Sequence, residues 1–251
     1  MFQEERHQQI VERINRLGRV NVSDLAQDFS VSEDCIRKDL RMISAQGLCR
    51  RVYGGAIRAE NLAERSIGER LEQFEVEKAA IAAKACALIK ENQSIYLDVS
   101  STCLALAKEI ARQNMRVTVI SPMLDCQSVL AQAPKVEVLS PGGVISSALN
   151  AVQGAQTLSF IAQCSFDVAF MGAHSLDLES GDVSTFTAED GYLKQAAIAR
   201  SACKYLLSEL RKLDASGNFC FASFDDFDAL ICECDEHERL DALAERGLPH
   251  M

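Results

Sequence analysis

Val31-Ser32-Glu33-Asp34-Cys35-Ile36-Arg37-Lys38-Asp39-Leu40 is the stretch on which the reading of the chain turns. Ser32 stands before two acids and an apolar repeat of Ile36, Leu40 and Ile43. That order predicts a helix capped by Ser32, with Glu33 and Asp34 suiting its positive end and Gly47 stopping it. Its other face carries Ser32, Cys35, Arg37, Lys38 and Arg41. Upstream, Ile10, Ile14 and Leu17 share one face of a first helix ended by Gly18, and Val20-Asn21-Val22 reads as extended. A second helix follows, capped by Ser23 and buried through Leu25, Ala26 and Phe29, with Ser30-Val31 as a tight connection. Downstream, Leu48 to Val52, Tyr53-Gly54-Gly55 and Ala56-Ile57 read as strand, turn, strand. Helix, short turn, helix and hairpin is the skeleton of a unit that sets one helix into the DNA major groove, with Arg50 and Arg51 on the hairpin near the backbone.

Charge supports that division. The whole chain of 251 residues carries a net −10, which argues against nucleic acid as a partner. Residues 1–58, however, hold 10 Lys and Arg against 8 Asp and Glu, and residues 59–251 hold 16 against 28. Six basic residues and a single acid, Asp39, lie between Arg37 and Arg58. Asp39 either orients the neighbouring Arg or Lys side chains or pairs with them or with Arg51 as surface charge. Apolar residues at 48% and charged residues at 25% exclude disorder and rods and leave an ordinary globular protein. No apolar run is long enough for a membrane span, and the charged start does not read as a signal peptide, so a cytoplasmic location is expected. The ten cysteines form no Cys-x-x-Cys pair, and the scattered histidines suggest no metal cluster. They read as small buried hydrophobes in a reduced compartment. No cofactor is expected.

Residues 59–74 are polar, charged and without a clear period, and read as a linker that can be partly helical. From residue 75 helices and strands alternate. Helices are predicted at Val76–Ile89, Cys103–Ala111, Leu124–Ala133, 154–163 and 188–202. Strands are predicted at Ser94–Asp98, Arg116–Ile120, Val136–Leu139, Asp167–Met171, Lys204–Ser208 and Ala229–Cys232, with a closing helix. Such alternation specifies a mostly parallel α/β sheet, whose ligands bind at the carboxyl ends of strands. Four of those ends carry suggestive residues. They are Asp98-Val99-Ser100-Ser101-Thr102; Ser140-Pro141-Gly142-Gly143; Gly172-Ala173-His174 with Gly181, Ser184, Thr185, Asp190 and Lys194; and Ser208-Glu209-Leu210-Arg211-Lys212. Hydroxyls at a helix start suit a phosphate, and so does a nearby cation. Each feature alone also fits a cap, a turn or a surface ion pair. Phe219, Phe221, Phe224 and Phe227 read as core and sheet edge.

Taken in order, Leu25-Ala26, Val31 to Leu40, Gly47-Leu48 and Gly54-Gly55-Ala56 closely resemble the winged helix-turn-helix of DeoR-type bacterial regulators. Cys35 stands where Thr is usual and Lys38 where Arg is usual, which keeps the charge but loses the bidentate fork. From Lys78 to Glu233 the chain also resembles the DeoR-type effector domain. The matching positions are Asp98, Ser100, Ser101 and Thr102; Gly142 and Gly143; Phe170 and Gly172; Gly181, Ser184 and Thr185; Asp190 and Lys194; and Glu209 and Lys212. Ser100 replaces Gly, Glu209 replaces Asp, and Leu210-Arg211 replace two serines.

The resemblance implies a winged helix over residues 1–58, the linker 59–74, and an effector-binding α/β domain over 75–251 like the ribose-5-phosphate isomerase and CoA-transferase fold. It further implies a repressor of carbohydrate genes that binds operator DNA as a homo-oligomer, a dimer or a tetramer. A phosphorylated sugar or related anion would change its DNA affinity through the linker. The alternative is a sugar-phosphate isomerase with a DNA-binding appendage, using Asp98 or Glu189 as base beside Lys194 or Lys212.

Overall fold

The structure, a computed structural model, describes residues 3–17, 19–45, 48–52, 54–58, 73–215, 217–235 and 237–251. The chain divides into two compact units, Met1–Arg65 and Ser66–Met251. Residues 59–72 of the expected linker, together with Gly18, Gly47 and Tyr53, lie outside the described residues.

The first unit holds α1 (Gln3–Leu17), β1 (Arg19–Asn21), α2 (Val22–Asp28), α3 (Glu33–Ala45), β2 (Cys49–Val52) and β3 (Gly55–Arg58). The three strands form one antiparallel sheet with β3 in the middle. Ile10 and Ile14 of α1, Leu25 of α2, and Ile36, Leu40 and Ile43 of α3 close its core. Ser32 caps α3 as expected, its Oγ accepting from the Cys35 N–H at 3.2 Å. Ser23 does not cap α2. That helix starts two residues earlier than a Ser23 cap would give, at Val22 after Asn21, and the Ser23 hydroxyl donates to Asp24. The three-residue strand β1 runs straight into the helix, so the residue at its end, not the nearest serine, becomes the boundary. Ser30 turns the chain between α2 and α3 with φ 53.

The second unit is a three-layer α/β structure. Its elements begin with α4 (Glu75–Ala87), β4 (Ser94–Leu97), α5 (Ser101–Gln113), β5 (Val117–Ile120), α6 (Leu124–Leu130) and β6 (Val136–Leu139). A hairpin of β7 (Val144–Ser146) and β8 (Ala151–Gln153) leads to α7 (Ala155–Gln163) and β9 (Phe166–Gly172). Next come β10 (Ser175–Leu176), β11 (Asp182–Thr185), α8 (Ala188–Ala199) and β12 (Ser201–Leu207). The chain ends with β13 (Phe219–Ser223), β14 (Ala229–Ile231) and α9 (Glu238–Glu245).

Six strands pair in parallel in the order β14-β12-β9-β4-β5-β6. Alternate residues face opposite layers, as the pleat requires. Ile95, Leu97, Val168 and Phe170 join one core with α4, α5 and α6. Tyr96, Ala169, Met171 and Leu206 join the other, with Ile161 of α7, Leu193 of α8 and Leu240 of α9. The C-terminal tail covers the β14 edge, where the Leu230 N–H donates to the Pro249 carbonyl at 2.7 Å. A small antiparallel sheet, β10-β11-β13, was not expected from the sequence. Its strands are short, and Phe219 and Phe221 were read as core and sheet edge with no strand assigned to them. Helix α8 is also shorter than expected, because Ser201 already belongs to β12.

The chain builds outward from β4 in one direction through β5 and β6. It then crosses back to place β9, β12 and β14 on the other side. The order therefore reverses between β4 and β9, and at such a switch point the connections leave in opposite directions and open a crevice at the carboxyl ends.

Candidate functional site

Asp98 and Gly172 end the two strands at that crevice. The Gly172 N–H donates to Asp98 Oδ2 at 2.8 Å. Lys194, projecting from α8, donates to the same carboxylate oxygen and to the Gly172 carbonyl at 3.1 Å. Asp190, one turn earlier, lies 3.6 Å from Lys194 Nζ and accepts from the Thr185 hydroxyl at 2.5 Å. Asp98 and Lys194 are almost completely buried, at 1% and 2% exposure. Burial alone would discharge Lys194, but Asp190 and Asp98 outweigh it and hold the ammonium above its usual pKa. The Phe221 ring lies 5.3 Å from Nζ. Thr187 caps α8 by accepting from the Asp190 N–H. The cap sets the first turn, and with it the Asp190–Lys194 spacing.

The helix start beside this pair is built from the expected hydroxyls, but they divide their work. Ser100 caps α5, accepting from the Cys103 N–H at 3.0 Å. A Cβ on Gly172 would come within 2.4 Å of Ser100 Cβ, so glycine is required where the two strand ends meet. Thr102 is fully buried. Of the three, only Ser101 is partly exposed. Cys103, beneath them, is pushed up to about 12 by burial and by Asp98, and stays a thiol.

Gly142 and Gly143 have φ of 67 and 129 and serve a different contact. The Thr157 hydroxyl of α7 donates to the Gly142 carbonyl at 2.6 Å, and a Cβ on Gly143 would strike the Thr157 hydroxyl oxygen. His174 follows β9, its ring 3.6 Å from that of Phe186 and its N–H donating to the Ser184 carbonyl.

Arg211 and Lys212 are already engaged. Lys212 Nζ donates to the Ala173 carbonyl at 2.9 Å and pairs with Glu209 at 2.9 Å. Arg211 pairs with the other Glu209 oxygen at 3.2 Å. Burial favours the neutral acid at Glu209, but Lys212 and Arg211 outweigh it and hold its pKa at about 2. This carboxylate, 1% exposed, was read from the sequence as a substitution and not as the partner of both cations.

In the first unit, α3 buries Ile36, Leu40 and Ile43 and exposes Arg37, Lys38 and Arg41. Arg37 donates to Glu33 and Asp34 at 2.5 and 2.8 Å, within its own helix and half-exposed. Arg50 and Arg51 lie on β2. Asp39 does not orient Arg37 or Lys38, and it is not surface charge. It is 1% exposed and holds α3 to α1, accepting from Arg6 at 2.6 and 3.2 Å and lying 2.9 Å from His7 Nε2. The cause is helical phase. Asp39 follows Ile36 by three residues and precedes Leu40 and Ile43, which puts it on the buried face. The half-buried Cys35 thiol sits beside the same cluster, 3.5 Å from Arg6 and 3.9 Å from Asp39.

Residues 6–61 match the DeoR-like helix-turn-helix domain, and residues 73–233 match the DeoR C terminal sensor domain. The chain belongs to the DeoR family. This DeoR-family chain is 29% identical over 234 residues to the HTH-type transcriptional regulator GolR of Listeria innocua, covering 93% of this chain and 91% of that one. It is 28% identical over 251 residues to the lactose phosphotransferase system repressor of Streptococcus mutans, covering 97% of both. It is 28% identical over 235 residues to the HTH-type transcriptional regulator GlpR of Haloferax volcanii, covering 93% of this chain and 91% of that one. Among solved structures, ribose 5-phosphate isomerase A of Methanocaldococcus jannaschii aligns with a TM-score of 0.40 at 15% identity, covering 54% and 52% of the two chains.

The DeoR-family chain is a DNA-binding transcriptional regulator with a sensor domain. Among the described residues no group of three or more His, Cys, Asp or Glu is placed to hold a metal ion. No described helix is long and apolar enough to cross a membrane.

Proposed function

We propose that this regulator is a cytoplasmic repressor of carbohydrate-metabolism genes whose operator affinity changes when a phosphorylated sugar or a related small anion occupies the switch-point crevice. One observation carries the reading. Asp98, Gly172 and Lys194 form a hydrogen-bonded floor at the reversal of strand order, beside the start of α5, whose first-turn N–H groups and partly exposed Ser101 suit an anion. Lys194 shapes that floor rather than seizing the anion, since its donors already serve Asp98 and Gly172. The carboxylates suit the hydroxyls of a sugar, and the helix start suits its phosphate. Lys212, tied to Ala173 at the end of β9, lies on the same rim. Relatives named as lactose phosphotransferase system repressors support a carbohydrate context.

On the DNA side, Arg37, Lys38 and Arg41 of α3 and Ser32 at its cap face the major groove, with Arg50 and Arg51 on the wing; Cys35, whose thiol turns towards Arg6 and Asp39, touches the groove only at its edge. Operator half-sites mirror protein symmetry, so the regulator acts as a homo-oligomer, a dimer or a tetramer. Replacing Arg37 and Lys38 by Ala flattens the dependence of log K on log salt by about 2, since each lost phosphate contact removes close to one counterion. An unchanged slope assigns DNA contact elsewhere.

For the sensor site, thermal unfolding is followed against triose, hexose and alditol phosphates. A true effector at about 100 times its Kd adds about 2.7 kcal/mol. No stabilisation by any of them removes the sugar-phosphate reading. Turnover of a sugar phosphate would instead favour the isomerase alternative, which asks for a base free to reach a substrate carbon.

A further inference from the structure

Phe74 is where the chain enters the sensor unit: the second described residue after the interval 59–72, and the residue that opens α4. It is 41% exposed and sits in the left-handed region, φ 57 and ψ 43, which side chains with a Cβ avoid. Two contacts hold it there. The Phe74 carbonyl accepts the first hydrogen bond of α4, from the Lys78 N–H at 3.1 Å. The guanidinium of Arg211 lies over the Phe74 ring, 4.0 Å from its centroid. The preceding Gln73 carbonyl accepts from Lys78 Nζ, a side chain buried to 4% exposure.

Arg211 belongs to the segment that frames the proposed effector site. It pairs with Glu209; Glu209 pairs with Lys212; Lys212 holds the Ala173 carbonyl; and Ala173 adjoins Gly172, which Asp98 and Lys194 fix. A contiguous set of charged contacts therefore runs from the crevice floor to the residue where the linker arrives.

We propose that Arg211 is a positioning residue that latches Phe74, so that an anion drawing Arg211 towards the crevice frees the entry of the linker. The guanidinium has two competing resting places. An aromatic face and one shared carboxylate hold it in one, and a phosphate offers a stronger, charge-assisted partner in the other. Phe74, held in an unfavoured backbone region, relaxes when the contact is lost. Two discrete arrangements biased by the ligand are what coupling between sites requires. The identity of the crevice as the effector site rests on the function proposed above. The latch itself is read independently of any ligand.

Amide hydrogen exchange on the full chain tests it. In Arg211→Ser the Lys78 amide, which reports the Phe74 carbonyl, exchanges about five-fold faster or more, while the amides of β9 keep their protection. Phe74→Leu gives the same acceleration. Phe74→Trp keeps a face for the cation and retains protection. The Arg211→Ser/Phe74→Leu double variant exchanges no faster than either single one, as for two halves of one contact. Unchanged exchange at Lys78 in Arg211→Ser overturns the latch.

The consequence is read on a duplex selected by the wild-type protein from a random pool. Arg211→Ser and Phe74→Leu shift its affinity in the same direction by about five-fold or more, and Phe74→Trp does not. Faster exchange with unchanged affinity reduces the contact to a local one and overturns the coupling. Thermal shift of the wild-type protein with inorganic phosphate and glycerol 3-phosphate forms a separate arm. Its failure counts against the sugar-phosphate reading, and the exchange and duplex measurements still decide the latch.

Discussion

The two faces of this regulator that carry charge are built on opposite terms. On α3, Arg37 is half-exposed and its partners, Glu33 and Asp34, are exposed residues of the same helix. In the sensor unit, Lys194 and Asp98 are 3% and 1% exposed by side chain and come from different layers of the fold. Exposed pairs of the first kind are worth little and exchange readily for phosphate. Buried pairs of the second kind contribute to shape, and removing one partner strands the other in a poorly solvating interior. The proposed DNA face is therefore ready to trade partners, whereas the floor of the proposed sensor site is not.

The largest expected effect lies in the sensor unit. Lys194→Met leaves Asp98 and Asp190 without their cation and costs about 3–5 kcal/mol, measured by urea unfolding of the full chain. A loss below about 1 kcal/mol would place the pair with the exposed kind and dissolve the contrast.

Asp39 comes next, because it is a buried pair inside the otherwise exchangeable unit. Its partners Arg6 and His7 keep 10% and 15% side-chain exposure, so water softens the loss. Asp39→Ala is expected to cost the first unit about 2–3 kcal/mol, read from its own unfolding transition. Acid offers a second check. Burial raises the Asp39 pKa, but hydrogen bonds from Arg6 and His7 outweigh it and leave it below 3.8. Its stabilisation is therefore fully present above that value and is lost as pH falls through the lower folded value. Asp39→Ala should abolish this part of the acid dependence.

Gly172→Ala follows, at about 1–3 kcal/mol, because the new methyl meets Ser100 in packed surroundings. Gly172→Ala combined with Ser100→Gly recovers most of it if the clash is the cause. The smallest effect is on the DNA face. Glu33→Gln with Asp34→Asn releases Arg37, costs only ~0.5 kcal/mol of stability, and raises affinity for DNA. A larger loss of stability would mean that these surface pairs are structural after all.

Much of this was legible before any coordinates. The apolar faces of α1 and α3, the Ser32 cap and the exposed position of Arg37, Lys38 and Arg41 follow from helical period and residue type. The parallel sheet follows from alternation alone. Ser100, Asp98, Gly172 and Lys194 were each visible as residues at strand ends or on the following helices. Two misreadings were local: Ser23 was taken as the cap of α2, and Asp39 as either an orienter of Arg37 and Lys38 or surface charge, although its phase places it inside. The antiparallel sheet of β10, β11 and β13 was missed because strands of two to five residues leave too little pattern to register.

What the amino-acid sequence determined by itself is whatever depends on neighbours a few residues away. That covers the division into a basic head and an acidic body, the helix that offers cations, and the rhythm of strands and helices. What only the tertiary structure decided is which charges meet. Asp98 finds Lys194 across 96 positions, and Asp39 finds Arg6 across 33. Arg211 pairs with Glu209 and rests on Phe74, a contact no local pattern announces. These pairings are set by strand order and by which element ends are brought side by side. Burial then determines whether a charge stays exchangeable with solvent and ligands or becomes part of the frame.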